Sequence, residues 1–580
     1  MTTVLNHPVA DSCPAGPVPM VTGPATWAAE RGTSTAYTFT DHAASPSYRS
    51  SLTWAELERD TDDLARRLLA VAEPGERCAI MLPTGLEFVV GMLAAVRAGL
   101  VAVPLFGPDH RGHAERVRAV LDDCTPALAL VTPGSVEVVE ATGAAGRVLA
   151  LDGTTDALPA PSRADLPVPA PDDIAYLQYT SGSTRSPAGV VVTHANVAAN
   201  CAQLVAAYDL HRDTNRCVTW LPLFHDMGLV TGVLLPVCTG LASDLMDPAA
   251  FVQRPARWLD LLAGGRGTFA AAPNFAFDHC VRRVRDADLE RLDLSGVAAL
   301  VNGSEPVRLA TIERFAERFG PVGFRRDAHR PSYGLAEATV FVATGRAGTE
   351  PHAVTLDAER LRTGEAVPAP DHDTASTLVT CGTAVGQSAV VVDPAARRPQ
   401  PDGAVGELWC RGPNVGQGYH GGGERSRETF GATLAEDTRG EHPAGPWMRT
   451  GDLAVVHDGS LFITGRLKDM IIVDGRNHYP QDLEATAESA DPEVRQGLVA
   501  AFGVDGGDGE QVVVLAVRRH RDDDGSAAKA VRRAVSAQHG VPVREVRFVP
   551  PNELPRTSSG KIARAASRQA YLADEPVGAR

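Results

Sequence analysis

Only three lysines stand among the 55 basic side chains of this 580-residue chain, Lys468, Lys529 and Lys561, and every other one is arginine. Arginine has taken the positions where either cation serves, which directs attention to the places where a compact ammonium fits better than a planar fork. Cysteine is sparse and scattered, nine residues with no CxxC pair and no metal-ligand spacing. A disulfide framework or a zinc site is therefore not expected, and a reducing cytosol is the expected setting. No lysine or arginine precedes Arg31 and no apolar core follows the first residue, so no secretory signal is expected. The longest charge-free apolar run, residues 227–243, is shorter than the ~20 residues of a membrane span and contains Pro236 and Gly240. It is read as a buried helix. GxxxxGK[ST] is absent, no GxGxxG directly follows a strand-like run, and no GxSxG elbow occurs, which removes the Walker-loop, dinucleotide-binding and serine-hydrolase readings. A formal net charge of -16 argues against nucleic acid or an anionic membrane as the main partner.

What the chain does have is YTSGSTRSPAGVVVTH at residues 179–194, small hydroxyl residues and glycine packed ahead of a β-branched run. Gly182 admits close backbone approach, Thr180, Ser181, Ser183 and Thr184 offer hydroxyl donors, and successive N–H groups can form a cradle for an anion. A solvated turn has the same composition, so the loop alone leaves both readings open. Further segments narrow the choice: WLPLFHDMGL (residues 220–229), VNGSEPVR (301–308), YGLAEATV (333–340), RTGDLAVVHDGSLFITGRLKDMIIVDGRNHYPQDLE (449–484) and PRTSSGKI (555–562). In this order and spacing, over most of the chain, the series resembles the signatures of the adenylate-forming superfamily of acyl-CoA synthetases, adenylation domains and luciferases. Arg185 and Ala188 stand where most of that superfamily has glycine and lysine. That departure, with RPARWLDLL, APNFAFDHC, YGLAEATVFVA and GRNHYPQDLE, is similar to the fatty acyl-AMP ligases.

The length calls for two or more domains. CAIML at residues 78–82, the helix-like residues 86–99, LVAVPLF and LALVT alternate in the manner of a parallel sheet with covering helices, an α/β class. ALVNG followed by the helix-like residues 307–319 puts Gly303, Ser304 and Glu305 at a strand-to-helix turn, where open α/β sheets bind ligands. After Leu467 the pattern becomes a small unit with strand-like QVVVLAVR and EVRFVP around a helix-like stretch at residues 527–539. The expected division is 1–467 and 468–580. The resemblance implies a large adenylating domain and a mobile α/β lid turning about Lys468, with an insertion near residues 345–380 of the kind held to disfavour CoA.

The resemblance also implies roles for single residues. Joining a carboxylate to the α-phosphate of ATP brings two anions together, so the site must neutralise charge and fix geometry. Lys561 is expected to bridge the carboxylate and the α-phosphate, and Glu337 to bind magnesium. Thr180 to Thr184 are expected on the β- and γ-phosphates, Asp452 on the ribose hydroxyls, and Arg466 on ribose or phosphate. Tyr333 would face adenine, with Gly334 allowing close approach and Gly303, Ser304 and Glu305 on the other side. His225 admits a zinc-ligand or general-base reading, but with no partner at ligand spacing it is taken as a gate beside the carboxylate pocket. TFAAAPNFAF, residues 268–277, suits either an acyl tunnel or the core.

The expected activity is ATP-dependent formation of acyl-AMP from a fatty or related hydrophobic acid, then acyl transfer to the phosphopantetheine thiol of an acyl carrier protein in polyketide, peptide or lipid biosynthesis. A CoA synthetase is the alternative. A non-adenylating acyl-adenylate binder is another, opposed by Lys561, Asp452 and Glu337 occurring together, and nothing points to oxygen chemistry.

Overall fold

The computed structural model describes Leu5 and residues 16–574 apart from residues 45, 108–113, 153–157, 180–186, 370–374, 436–442, 474–475, 507–509, 521–524 and 558–559. The alternating pattern near the start folds as expected, with parallel strands Arg77–Met81, Val101–Pro104 and Leu128–Val131 and the helix Leu86–Arg97. Both of the last two strands are buried throughout, as parallel strands covered on two faces must be. Strands Arg147–Ala150, Ile174–Tyr179 and Gly189–Thr193 complete a six-stranded sheet, and only the last pair within it is antiparallel. Thr180, Ser181, Gly182, Ser183, Thr184 and Arg185 connect that pair and lie outside the described residues.

A nine-stranded sheet carries the strand-to-helix turn. Its parallel centre runs His329–Tyr333, Val297–Gly303, Thr268–Pro273, Arg216–Thr219, Ala242–Met246, Thr35–Asp41 in spatial order. Strand Val297–Gly303 leads to the helix Leu309–Phe319, so residues 303–308 emerge at the carboxyl end of a central strand. TFAAAPNFAF belongs mainly to the core. Phe269 meets Tyr208 in a tilted contact at 5.1 Å between ring centroids, and Phe277 meets Phe315 at 5.2 Å and His329 at 4.6 Å.

Residues 227–243 form a buried helical run and then enter a strand, as Asp226–Leu229, Val230–Leu234, Leu235–Thr239 and Ala242–Met246. The pattern did not foretell that Val230–Leu234 is a π-helical turn. Side chains reach the carbonyls along this stretch. The Tyr37 hydroxyl donates to Val233 O at 2.7 Å, Trp27 Nε1 to Val237 O at 2.7 Å and the Ser243 hydroxyl to Gly232 O at 2.8 Å.

A five-stranded antiparallel sheet follows, containing Gly406–Arg411, Met448–His457 and Ser460–Arg466. Beside it lies the hairpin Ala353–Asp357 with Ala375–Val379 and the short helix Ala358–Arg362. Beyond Lys468 a three-stranded sheet, Val494–Asp505, Glu510–Arg518 and Val543–Phe548, packs with helices Pro480–Ala490, Ser526–His539 and Arg564–Asp574. This unit has its own core of Leu483, Val512, Val514, Val531 and Val535. Among the described residues no helix is long and apolar enough to cross a membrane.

Candidate active site

Strand register builds the first part of the site. Asp452 and Arg466 are cross-strand partners on Met448–His457 and Ser460–Arg466, and Arg466 Nε donates to Asp452 Oδ1 at 3.0 Å. From the end of strand His329–Tyr333 the Tyr333 hydroxyl donates to Asp452 Oδ2 at 2.7 Å. Asp452 is 6% exposed, so these two donors hold its orientation. Gly334 is packed against the chain itself, since a Cβ there would lie 1.7 Å from Val340 O. A side chain at Gly303 would meet Ser332 O at 2.9 Å.

Ser304 takes a left-handed φ of 68° and turns the chain so that Glu305 accepts the Phe275 N–H at 2.6 Å. Burial raises the Glu305 carboxyl above its ordinary value, against the opposing pull of that N–H and of the Lys561 ammonium. The Thr557 N–H donates to Lys561 O at 2.8 Å. Burial lowers the Lys561 ammonium below the ordinary lysine value while Glu305 and Asp226 counteract and Arg466 adds to the drop. The C-terminal unit therefore delivers Lys561 into the cluster formed by the rest of the chain.

His225 caps the short helix Asp226–Leu229, with Nδ1 2.6 Å from Asp226 Oδ1. Burial raises the Asp226 carboxyl, but His225, Lys561 and the Met227 N–H outweigh it and bring the group below its ordinary value. Glu337 lies on the turn Ala336–Ala338, where its Oε1 accepts the Tyr419 hydroxyl at 2.8 Å. Burial raises its carboxyl, opposed by Tyr419 and Arg466 and reinforced by Asp226. Lys468 is exposed on the turn Leu467–Asp469, next to the Asp469 carboxylate that Arg564 contacts at 3.2 Å. Among the described residues no set of three His, Cys, Asp or Glu side chains gathers as a metal centre.

The structure thus brings Lys561, Glu305, Arg466, Asp452, Tyr333, Glu337 and His225 into one region, and adds two residues that the motifs did not single out. Asp226 was printed in FHDMGL beside the histidine and needed only a charge argument. Tyr419 left no signal, because its partner Glu337 is 82 residues away in the chain.

Residues 25–420 match the AMP-binding enzyme family, and residues 468–576 match the AMP domain of Disco-interacting protein 2-like proteins. The chain is 42% identical to the long-chain-fatty-acid–AMP ligase FadD32 of Mycolicibacterium smegmatis, over 94% of this chain and 93% of that one. It is 40% identical to the 4-hydroxyphenylalkanoate adenylyltransferase of Mycobacterium tuberculosis, over 93% and 89%. A solved structure from work on fatty acyl-adenylate ligases of E. coli and L. pneumophila superposes with a TM-score of 0.86 at 34% identity, covering 96% of this chain and 98% of that one. The chain belongs to the fatty acyl-AMP ligase family. As a fatty acyl-AMP ligase it has the adenylate-forming fold expected from its motifs, and the family's AMP-binding region contains the turns that carry His225, Glu305, Tyr333 and Glu337.

Proposed function

We propose that the chain activates a fatty or related hydrophobic carboxylic acid with ATP and hands the acyl group to the phosphopantetheine thiol of a carrier protein. In the first step a carboxylate oxygen attacks the α-phosphorus, the Pα–O bond to the β-phosphate breaks, and pyrophosphate leaves. In the second the thiol sulfur attacks the acyl carbon, the acyl–oxygen bond to AMP breaks, and the thiol proton goes to solvent. The observation that carries this reading is that the Lys561 ammonium lies within electrostatic reach of Glu305, Asp226 and Arg466. A compact cation there can meet both reacting anions and gains strength as charge shifts between them.

Asp452 is assigned to the ribose hydroxyls, with Tyr333 and Arg466 fixing its plane, and the hydroxyl-rich loop at residues 180–184 to the phosphates. Glu337 is assigned to magnesium. One half-buried carboxylate fits an ion that takes its remaining ligands from phosphates and water. Bound there, magnesium would offset phosphate charge. Tyr419 donates to that carboxylate and would fix its orientation for the ion, and the His225–Asp226 pair is assigned to the wall of the carboxylate pocket.

For the acceptor, the inserted segment supports the carrier protein over CoA. Leu356, Leu361 and Ala366 pack on Leu453, Val455 and Phe462 of the five-stranded sheet and on Tyr479 of the lid. Glu359 accepts from Arg476 at 3.2 Å, and Arg362 Nη2 lies 3.2 Å from His539 Nδ1. A wedge tied to both bodies limits the lid motion or channel that free CoA needs. The test is pyrophosphate release across a panel of acids with ATP and magnesium, followed by product analysis with CoA or with a carrier protein. Acyl-AMP that accumulates with CoA and discharges to the carrier is the expected result. Acyl-CoA formed as fast as pyrophosphate would make this a CoA synthetase.

A further inference from the structure

Lys561 belongs to the lid, whereas the groups that it faces belong to the large domain, so something must set the lid's position to within an ångström or so. Residues 303–308 form one turn with Glu305 at its centre and Arg308 at its end. Both sides of that turn are tied to the start of the helix Asn274–Arg283. Phe275 N donates to Glu305 Oε1 at 2.6 Å, and Arg308 N donates to Asn274 Oδ1 at 3.1 Å. Asn302 Nδ2 reaches the same Asn274 oxygen at 3.2 Å, and His329 Nε2 lies 3.1 Å from that Asn302 nitrogen. Arg308 thus leaves the turn with a fixed root.

Its Nη1 crosses the seam and donates to Glu488 Oε2 at 2.8 Å, the other oxygen of Glu488 being held by Gly497 N at 2.7 Å. The Glu488 side chain is 6% exposed. Glu488 lies on the helix Pro480–Ala490, and one turn earlier on the same face stands Glu484. Glu484 grips Arg564 through both oxygens, at 2.7 and 2.8 Å from Nε and Nη2. Arg564 is three residues after Lys561. The chain of contacts Arg308–Glu488, Glu484–Arg564 therefore begins beside Glu305 and returns to it through Lys561.

We propose that Arg308, Glu488, Glu484 and Arg564 form a relay of positioning residues that registers the lid on the adenine-side turn and so places Lys561 for acyl-AMP formation. The relay acts through Lys561 and touches no substrate. The proposal rests on the adenylating reading of Lys561, and two measurements keep the two claims apart.

The first compares pyrophosphate release by Arg308→Met and Glu488→Gln with the unaltered enzyme and with Lys561→Met. Each relay variant should lose about tenfold in kcat, the scale of one charge-assisted contact, with little change in KM for ATP. Arg308→Lys should recover most of the rate, because a single nitrogen spans the seam. In a Lys561→Met background Arg308→Met should cost nothing further, the non-additivity of residues that act as one unit. The second measurement uses two of the chain's three lysines as reporters. Brief acetylation with an N-hydroxysuccinimide ester, read by mass spectrometry, gives the labelling of Lys561 relative to exposed Lys529. That ratio should rise severalfold in Arg308→Met and Glu488→Gln and return in Arg308→Lys. An unchanged ratio in both variants, or a full tenfold loss in the Lys561→Met background, overturns the relay. If the unaltered enzyme released no pyrophosphate with any acid, the adenylating reading would fail while the labelling ratio still decided the relay.

Discussion

Replacing Lys561 by methionine keeps most of the side chain's length and removes one positive charge from a cluster that holds the carboxylates of Glu305 and Asp226. Lys561 lowers the carboxyl pKa of both. Without it Glu305, already raised by burial, rises further, and the region where the substrate carboxylate must approach becomes more negative. Loss of one such transition-state contact costs about 10²–10³ in rate, or about 2.7–4 kcal/mol. Arg466 stays nearby and supplies part of the missing charge, which puts the expected loss nearer the hundredfold end. The assay is coupled pyrophosphate release, run beside acyl transfer from chemically prepared acyl-AMP, which the substitution should leave largely intact. pH gives an independent check. Because the Lys561 ammonium is lowered from its ordinary value of about 10.4, the charge is present at low pH and is lost as pH rises through that lowered value. The rate should therefore fall on an alkaline limb that begins below the ordinary lysine range, and Lys561→Arg, slower overall, should lack that limb. Pyrophosphate release within a few-fold of normal in Lys561→Met, or an unshifted limb in Lys561→Arg, would refute the assignment.

Asp452→Asn removes the charge that holds two donors and is expected to raise KM for ATP about ten- to hundredfold, the span of 1.5–3 kcal/mol for hydrogen bonds to a charged group, as read from initial rates; an unchanged KM rules out a ribose role. Tyr419→Phe takes from Glu337 a donor that lowers its pKa, so the acidic limb of activity should move to higher pH and the half-saturating magnesium concentration should increase. Cation titrations at two pH values check this, and superimposable curves would contradict it. Shortening residues 356–370 should raise the yield of acyl-CoA without raising the rate of pyrophosphate release, measured on the same reaction mixtures.

The motifs drew attention to much of the candidate site, because the adenylation they imply would demand particular residue types in fixed local settings. Lys561 stood out as one of three lysines, and Glu305 followed from a strand-to-helix turn. Hydrogen-bond partners were harder to see. Tyr333 is expected to offer its face to adenine, and the bond from its hydroxyl to Asp452, 119 residues on, has no local signal. The Tyr419 contact with Glu337 and the Arg308 contact with Glu488 likewise join segments whose proximity is set by sheet order and lid placement. The parallel strands at residues 77–131 were readable from the alternation of strand-like and helix-like apolar segments. The π-helical turn at Val230–Leu234 was not, since its apolar run has the composition of any buried helix.

That turn bears on how the protein is made. Its neighbouring carbonyls are satisfied by Trp27 and Tyr37, which leave the ribosome some 200 residues before Val233 and Val237, and strand Thr35–Asp41 pairs with Ala242–Met246 across the same interval. Until residue 246 has been synthesised, the strand lacks that parallel neighbour, and two polar groups that end up buried are left to water. Closing so long a loop before the contacts repay it is slow, and a waiting strand edge is open to the wrong partner. The N-terminal segment is therefore a stretch that nascent-chain chaperones would be expected to shield, and slowed translation before residue 246 would lengthen its exposure.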